Sequence, residues 1–278
     1  MSDNAQSPKT SSLEELRTLR DEFTKAHATA QEKLAEVDKQ IKAIELEEWK
    51  AKRAEALNQI LPNGDKSTLK GHEISFLINN SKEGGHGPES FLGASVAAAH
   101  RVHSLVVEAN AGDASVAAKF WGGRYVEIMK LDTKFGANAY STAVTSTKNL
   151  LPAAKEILTT NTPDTSGSKH KNYVIICDGS VEGDVAHSVA ILEAAAKFNP
   201  KATFDFVVCN AGETNIDALV KSWGETASGQ KPNLVKVSSP KEIHGAVLNV
   251  IKARLSGDAY TPPAATAKTT APSSAPSP

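Results

Sequence analysis

The feature that most constrains the fold is the segment at residues 172–179, which reads Asn-Tyr-Val-Ile-Ile-Cys-Asp-Gly. Its apolar residues follow one another without alternation, as in a strand that is buried on both faces of a parallel sheet. The run stops at Asp178 and Gly179, where the carboxyl edge of that sheet would lie. Because open α/β sheets bind their ligands at this edge, Asp178 is the strongest pointer to a functional site in the chain.

The composition argues against nucleic acid and membranes as partners. The chain has 278 residues, of which 40% are hydrophobic, and a formal net charge of −1. A charge so close to zero exerts no overall attraction on nucleic acid or anionic lipid. No apolar run approaches the ~20 residues of a bilayer span, and the N-terminus lacks the apolar core of a secretory signal. We therefore expect a cytoplasmic protein in which Cys177 and Cys209 are buried structural thiols.

A long helix is predicted for residues 11–61, after a polar stretch at residues 1–10 that we expect to be disordered. Ser12 and Glu15 form a capping-box pattern at the start of the helix. A Pro-Asn-Gly-Asp turn then stops the helix.

The long helix carries an apolar stripe with heptad spacing. One frame gives two columns of seam positions, which are Leu13, Arg20, His27, Leu34, Ile41 and Glu48 in the first and Leu16, Phe23, Ala30, Val37, Ile44 and Ala51 in the second. A stripe of this length has to pack on something, so residues 12–60 are predicted to form a coiled coil with a second copy or with a partner helix. The alternatives are a solvated helical spacer and an arm that folds onto the globular domain.

The globular domain is predicted to span residues 69–256, and a disordered tail rich in Pro, Ala, Ser and Thr follows at residues 257–278. Apolar runs predict strands at residues 73–78, 114–121, 124–131, 172–177, 202–209 and 233–237. Helices are predicted between and after them at residues 88–110, 141–158, 184–198, 215–226 and 239–255. This alternation predicts a doubly wound α/β fold with a mostly parallel six-stranded sheet. Gly122 and Gly123 predict a tight hairpin between the second and third strands, and therefore one antiparallel edge strand.

Four segments occur in an order and spacing typical of one family. They are residues 74–81 (Ile-Ser-Phe-Leu-Ile-Asn-Asn-Ser), 136–144 (Gly-Ala-Asn-Ala-Tyr-Ser-Thr-Ala-Val), 173–179 (Tyr-Val-Ile-Ile-Cys-Asp-Gly) and 234–243 (Leu-Val-Lys-Val-Ser-Ser-Pro-Lys-Glu-Ile). They resemble, in turn, the first strand and its loop, the second metal loop, the fourth strand with its Asp-Gly, and the last strand and helix of a von Willebrand factor A (vWA) domain. The resemblance implies a sheet whose first strand is central.

The resemblance also implies a position for a metal-ion-dependent adhesion site, in a degenerate form. Members of the family commonly carry Asp-x-Ser-x-Ser after the first strand, a Thr in the second loop and an Asp after the fourth strand, and these residues hold Mg²⁺. Here Asn79 replaces the first Asp, Ser81 matches the first Ser, Glu83 stands at the second Ser, Asn138 falls nearest the Thr, and Asp178 matches the last Asp. Mg²⁺ binds oxygen ligands and usually needs carboxylates, so the loss of the first Asp weakens the site. Two expectations follow, a weakened Mg²⁺ site or a metal-free surface of the same shape.

We therefore expect a protein–protein interaction module without catalytic activity. Its partner would bind the strand-end loops at residues 79–87, 132–138 and 178–184, and the N-terminal helix would supply oligomerisation or a second contact. The alternative is a nucleotide-binding domain or enzyme of Rossmann-like topology that uses residues 84–87 (Gly-Gly-His-Gly) and Asp178. Strand order distinguishes the two, because the dinucleotide fold keeps its first six strands parallel.

Overall fold

The structure of the chain is a computed structural model. The residues that it describes are 12–80, 87, 89–109, 112–123, 126–129, 131, 147–162, 169–179, 181–209, 215–226 and 232–257. The segments expected to be disordered, residues 1–10 and all but the first residue of 257–278, lie outside this part of the chain. The chain divides between Glu55 and Ala56 into a helical unit and an α/β unit.

Helix α1 (Leu13–Asn58) is 46 residues long and contains neither Gly nor Pro, and the helical unit contains all of it except its last three residues. The predicted capping box is confirmed. The Ser12 N–H donates to Glu15 Oε2 at 2.8 Å, and the Glu15 N–H donates to Ser12 Oγ at 3.2 Å. Ten large apolar side chains between Leu13 and Trp49 are at least 47% exposed.

The α/β unit alternates strands and helices. Its elements are β1 (His72–Asn79), α2 (Phe91–Ala109), β2 (Ser115–Trp121), β3 (Glu127–Met129), α3 (Leu151–Thr160), β4 (His170–Asp178), α4 (Val185–Phe198), β5 (Thr203–Cys209), α5 (Asn215–Thr226), β6 (Asn233–Val237) and α6 (Pro240–Ser256). Two short 3₁₀ turns, Pro62–Gly64 and Lys66–Leu69, precede β1. Leu57, Ile60 and Leu61 are buried in the core of this unit, so it includes residues before the predicted start at residue 69.

The sheet has six strands in the order β3-β2-β1-β4-β5-β6. The strands β2, β1, β4, β5 and β6 are parallel to one another, and β3 pairs with β2 in the antiparallel direction. The predicted fold class is therefore confirmed, including the reversed edge strand. The Rossmann-like alternative required its first six strands to be parallel, and the direction of β3 contradicts it.

Both faces of the sheet are covered by helices. In β4, Val174 and Ile176 pack in a core with α2 and α6, whereas Tyr173, Ile175 and Cys177 pack in a second core with α3, α4 and α5. Because successive residues of a strand point to opposite faces, a strand covered on both sides is apolar throughout. This explains why the sequence of β4 shows no alternation.

The predicted helix start at Ser141 is wrong for the residues that the structure describes. Residues 147–150 are not helical, and α3 begins at Leu151 with Pro152 in its first turn. Proline is tolerated there because the N–H that it lacks has no intrahelical partner in the first turn, whereas inside a helix it would break the hydrogen-bond ladder. Asn149 Oδ1 accepts a hydrogen bond from the Leu151 N–H at 3.0 Å and fixes the start of the helix.

The predicted tight turn at Gly122 and Gly123 is also wrong, although the two strands do pair. Residues 122–126 connect β2 to β3, so the connection is longer than two residues. The Gly122 carbonyl accepts hydrogen bonds from Thr147 Oγ1 and from the Asn149 N–H. These contacts hold Gly122 against the segment before α3 instead of in a tight turn.

The two cysteines are buried free thiols, as predicted. Cys177 lies on β4 and Cys209 on the neighbouring β5. Their side chains belong to the cores on opposite faces of the sheet, so the sheet itself separates the two sulfur atoms. Burial raises the pKa of the Cys177 thiol, which keeps it protonated and unreactive.

None of the helices in the described ranges combines the length and the apolar character that a bilayer span requires.

Candidate functional site

The candidate site lies at the carboxyl edge of the sheet, where β1 and β4 end side by side. The strand β1 ends at Asn79, β4 ends at Asp178, and the two strands are parallel neighbours. Their register pairs Ile78 with Ile176, so Asp178 extends one residue beyond the position opposite Asn79. The edge therefore presents an amide and a carboxylate from adjacent strands, at the place where open α/β sheets bind ligands.

Asn79 is anchored to the end of β2. Its side chain is fully buried, and its Nδ2 donates to the Trp121 carbonyl at 3.4 Å. The Asn80 N–H donates to the same carbonyl at 2.8 Å, and Trp121 Nε1 donates to the Leu77 carbonyl at 3.0 Å. These three bonds fix the backbone of β1 where it leaves the sheet.

The side-chain oxygen of Asn79, unlike its side-chain nitrogen, has no hydrogen-bond partner among the described residues. Asn79 Oδ1 is buried and accepts no hydrogen bond from any residue in the described ranges. A buried acceptor that lacks a donor costs about 1–3 kcal/mol. This oxygen is therefore a position at which a donor or a cation would be stabilising.

Asp178 ends β4 with its side chain almost buried, at 6% exposure. The next residue, Gly179, has a φ of 72° and donates its N–H to the Cys209 carbonyl at 2.8 Å. A residue with a Cβ is strained in this left-handed conformation, which explains the glycine. The turn at Gly179 leads the chain away from the sheet immediately after the carboxylate.

The loop after β4 is tied to the segment before α3. The Glu182 N–H donates to the Lys148 carbonyl at 2.9 Å, and the Lys148 N–H donates to Glu182 Oε2 at 3.2 Å. Gly183 has a φ of 82°, and a Cβ added there would lie 2.8 Å from Asn149 Oδ1. The two segments therefore form one surface beside Asp178.

The same loop is also tied to the start of α5. Asn215 Oδ1 accepts from the Val181 N–H at 3.0 Å, and Asn215 Nδ2 donates to the Val181 carbonyl at 2.6 Å. We use the word rim for this edge, defined as Asn79, residues 147–149, Asp178, residues 181–184 and Asn215. The predicted binding loop at residues 178–184 includes Glu182, whereas sequence reasoning did not identify Lys148 or Asn215 as site residues. The one available signal was the asparagine at a predicted helix start, which is a common capping residue.

Of the five predicted metal ligands, the structure places two. Asn79 and Asp178 lie at the ends of the neighbouring strands β1 and β4, whereas Ser81, Glu83 and Asn138 lie outside the described residues. Each of the two side chains supplies oxygen, the donor type that Mg²⁺ binds, and Asn79 Oδ1 is buried without a donor from the described ranges. The pair supplies one negative charge, and within the described residues no three His, Cys, Asp or Glu side chains are grouped to hold an ion. The Mg²⁺ site therefore stays a prediction.

The glycine-rich segment of the alternative hypothesis is described only at Gly87, which is exposed. Ser90 caps α2, because its Oγ accepts from the Gly93 N–H at 3.1 Å and its own N–H donates to the Gly87 carbonyl at 2.9 Å. A phosphate that binds at a helix N-terminus accepts hydrogen bonds from the backbone N–H groups of the first turn. In α2 the N–H of Gly93 already donates to Ser90 Oγ.

A second polar cluster, which the sequence did not indicate, lies at the amino edge of the sheet. The rings of His72 and His170 stack with their centroids 5.0 Å apart. Asn172 Nδ2 lies 3.0 Å from His72 Nδ1, and Thr203 Oγ1 donates to Asn172 Oδ1 at 2.9 Å. Because the threonine fixes the orientation of the amide, His72 Nδ1 is an unprotonated acceptor. Burial and the nearby His170 lower the pKa of His72 to about 4.

The order of the strands, with β1 central and one reversed edge strand, defines a vWA-like α/β domain. Among solved structures, the chain is similar to a von Willebrand factor type A protein from Catenulispora acidiphila, with 12% identity, a TM-score of 0.44, and coverage of 67% of this chain and 43% of that chain. It is also similar to the VWA domain of SpRpn10, with 12% identity, a TM-score of 0.46, and coverage of 64% of this chain and 94% of that chain. The chain thus spans less than half of the Catenulispora protein. No protein-family model and no curated protein sequence matches the chain.

Proposed function

We propose that the chain is a non-catalytic protein-binding module, in which the rim binds a protein partner and α1 brings copies of the chain together. The observation that supports this proposal is the position of Asn79 and Asp178 at the carboxyl ends of two adjacent parallel strands. The carboxyl edge of an open α/β sheet is the usual place for a ligand, and the vWA-like fold is one that commonly mediates protein interactions.

The chemistry of the rim suits a partner that offers hydrogen-bond donors or positive charge. The Asp178 carboxylate is an acceptor, and Asn79 Oδ1 is a buried acceptor without a donor from the described residues. A backbone N–H, a lysine or an arginine of the partner would donate to these oxygens directly, and charge-assisted bonds of this kind are the stronger ones. A second version has a weakly bound Mg²⁺ that accepts a carboxylate of the partner, and the oxygen donors at this position favour it.

The solvent exposure of apolar side chains along α1 supports the proposal that this helix brings copies of the chain together. Large apolar side chains of the seam, such as Leu34 and Ile44, are 63% and 60% exposed. A contiguous apolar surface of this kind is typical of an interaction site. Association through α1 would also strengthen capture at the rim, because linked copies bind with a raised effective concentration.

The experiment is quantitative capture of partners from cell extract by the immobilised full chain. It compares the wild type, Asp178→Asn and the control Asp113→Asn, whose exposed side chain lies in the turn before β2 at the opposite edge of the sheet. We expect Asp178→Asn to reduce retention of the captured protein about tenfold or more, since a bond to a charged group contributes roughly 1.5–3 kcal/mol. Asp113→Asn should leave retention unchanged. Equal retention by all three proteins would contradict the proposal.

Chelation and titration distinguish direct binding of the partner from binding through Mg²⁺. Capture that survives EDTA supports direct binding. Capture that is lost in EDTA, together with calorimetric heat on titration of the wild type but not of Asp178→Asn with Mg²⁺, supports the Mg²⁺ version.

We further propose that the protein works in a reducing compartment such as the cytoplasm. Two free cysteines on opposite faces of one sheet support this location, because oxidising compartments favour paired thiols.

A further inference from the structure

The seam of α1 is an exposed apolar stripe that three polar residues interrupt. Its large apolar members are between 47% and 67% exposed, and they are Leu13, Leu16, Phe23, Leu34, Val37, Ile41 and Ile44. The interruptions are Arg20, His27 and Glu48. Polar residues at seam positions set the register and orientation of helix pairs, so these three decide which pairing is compatible with the stripe.

A parallel, in-register pair conflicts with two of the interruptions. In that arrangement each seam residue faces its own copy, so Arg20 would oppose Arg20 and Glu48 would oppose Glu48. Like charges that face each other at a partly desolvated seam repel one another, although Arg20 and Glu48 each have an exposed ion-pair partner on the same helix, Asp21 and Lys52.

An antiparallel pair that overlaps residues 13–44 of both copies removes this conflict. Its facing pairs are Leu13–Ile44, Leu16–Ile41, Arg20–Val37, Phe23–Leu34 and His27–Ala30. Two-fold symmetry forms every pair twice. Three of the five pairs join large apolar side chains, no charge meets a like charge, and Glu48 lies beyond the overlap.

The charges beside the seam agree with the same alignment. In antiparallel helix pairs, residues that directly follow the second seam column face each other across the interface, and this brings Arg17 of one copy beside Asp38 of the other. Both side chains are on exposed parts of α1. The symmetric contact forms a second time, so the pair gains two opposite-charge contacts.

The apolar surface that two α1 helices would bury against each other is large enough for a stable dimer. When it is buried in the pair, each large apolar residue removes on the order of 100 Å² of apolar surface from water. The apolar seam residues of the two helices then bury roughly 1,400 Å², which is within the range of specific interfaces.

We propose that α1 pairs antiparallel with α1 of a second copy of this chain over residues 13–44. This inference specifies the partner and geometry of the association in the proposed function, and it rests on that part of it. The carboxyl ends of the two helices then lie at opposite ends of the pair.

The first test is cross-linking of full-length single-cysteine additions, Leu16→Cys and Ile41→Cys, with a short bismaleimide. The native Cys177 and Cys209 are buried and serve as the unreactive background, checked with the wild type. Leu16→Cys carries an affinity tag so that mixed dimers can be separated. We expect the mixture to form a cross-linked heterodimer and neither variant alone to do so, because two copies of residue 16 would lie about 37 Å apart along the axis.

The outcomes separate this inference from the proposed function. A dimer in which Leu16→Cys links to itself, or in which no mixture links, keeps association but overturns this alignment. A wild type that sediments as a monomer at all concentrations overturns both the alignment and association through α1. Capture at the rim is measured independently of either result.

The second test is charge reversal followed by rescue. Arg17→Glu and Asp38→Arg should each weaken the dimer roughly 3- to 10-fold, because two exposed ion pairs become repulsive contacts. The double variant should restore the dissociation constant of the wild type. In a parallel pair Arg17 and Asp38 do not face each other, so absence of rescue would overturn the proposal.

Discussion

The ion pair of Asp205 and Arg254 makes the most quantitative prediction for the α/β unit. Asp205 lies on β5 and is fully buried, and Arg254 on α6 donates to both of its oxygens, from Nε at 3.0 Å and from an Nη at 2.8 Å. Asn233 Nδ2 on β6 donates to the same carboxylate at 2.8 Å. The carboxylate thus joins two strands to the helix that covers one face of the sheet.

The perturbation is Arg254→Met, which keeps the apolar stem of the side chain and removes its charge. It leaves a buried carboxylate to which, among the described residues, the neutral Asn233 amide still donates, and loss of one partner of a buried pair costs about 3–5 kcal/mol. This is a large share of the roughly 5–15 kcal/mol that stabilises a typical domain. We therefore expect a clear fall in the urea midpoint at pH 8.

The pH dependence of this loss has a defined sign. Burial raises the pKa of Asp205 above 3.8, and removal of Arg254 raises it further. A group whose pKa is raised in the folded state binds its proton more tightly there than in the unfolded chain, so protonation relieves the penalty. The destabilisation by Arg254→Met should be smaller at pH 5 than at pH 8.

Two controls define what would refute this reasoning. The exposed neighbour Lys252 donates to the Asn58 carbonyl at 3.4 Å, and Lys252→Met should change stability by less than about 0.5 kcal/mol. The double variant Asp205→Asn with Arg254→Met removes both charges and should be more stable than Arg254→Met alone. An Arg254→Met protein within 1 kcal/mol of the wild type, or a double variant no better than the single one, would show that the pair is not a buried ion pair of this kind.

Three further predictions follow from other parts of the α/β unit. His72 has its pKa lowered to about 4, so the folded state resists its protonation and stability should fall as the pH drops from about 6.5 towards 4. After allowance for its partial exposure, this contributes on the order of 1–2 kcal/mol, and urea midpoints at pH 7.5 and 5 should differ less for His72→Gln than for the wild type. An equal pH loss in both proteins would exclude His72 as the source. Gly183→Ala should destabilise by about 1–3 kcal/mol, since it places a Cβ at positive φ and against Asn149, whereas Gly245→Ala, in α6 with open space around it, should stabilise by about 0.5–1 kcal/mol. The same sign of change in both glycine variants, measured by thermal unfolding, would contradict this account of the rim. Asn215→Ala removes both hydrogen bonds to Val181 and should lower stability by about 1–2 kcal/mol, with faster hydrogen exchange at the Val181 N–H, and unchanged exchange there would mean that Asn215 does not hold the loop.

The sheet could be predicted because its signals are local. The uninterrupted apolar residues of β4 and β5 identify strands that are covered on both faces, whatever the helices above them contain. Parallel strands end at the same edge, so Asn79 and Asp178 could be expected at the same edge of the sheet. The capping box at Ser12 and Glu15 is likewise a local pattern, and its two hydrogen bonds are present.

The composition of the rim could not be predicted in the same way. The contacts of Lys148 with Glu182 and of Asn215 with Val181 join segments more than thirty residues apart in sequence, as their separation of 34 positions shows. Such contacts depend on the packing of whole elements and leave no local pattern. The predicted start of α3 is wrong because it places Pro152 in the helix interior, whereas proline fits the first turn.

The central claim, that the rim is the surface that binds a protein partner, is tested most directly by site-specific photo-cross-linking of the full chain. A photoreactive side chain would replace the exposed Ala186, in the first turn of α4 beside the rim, or the exposed Gly112, in a turn at the opposite edge with open space around it. We predict that irradiation in cells yields a discrete covalent adduct with another protein from position 186 and none from position 112. An adduct from position 112 alone, or none from either position, would contradict the claim.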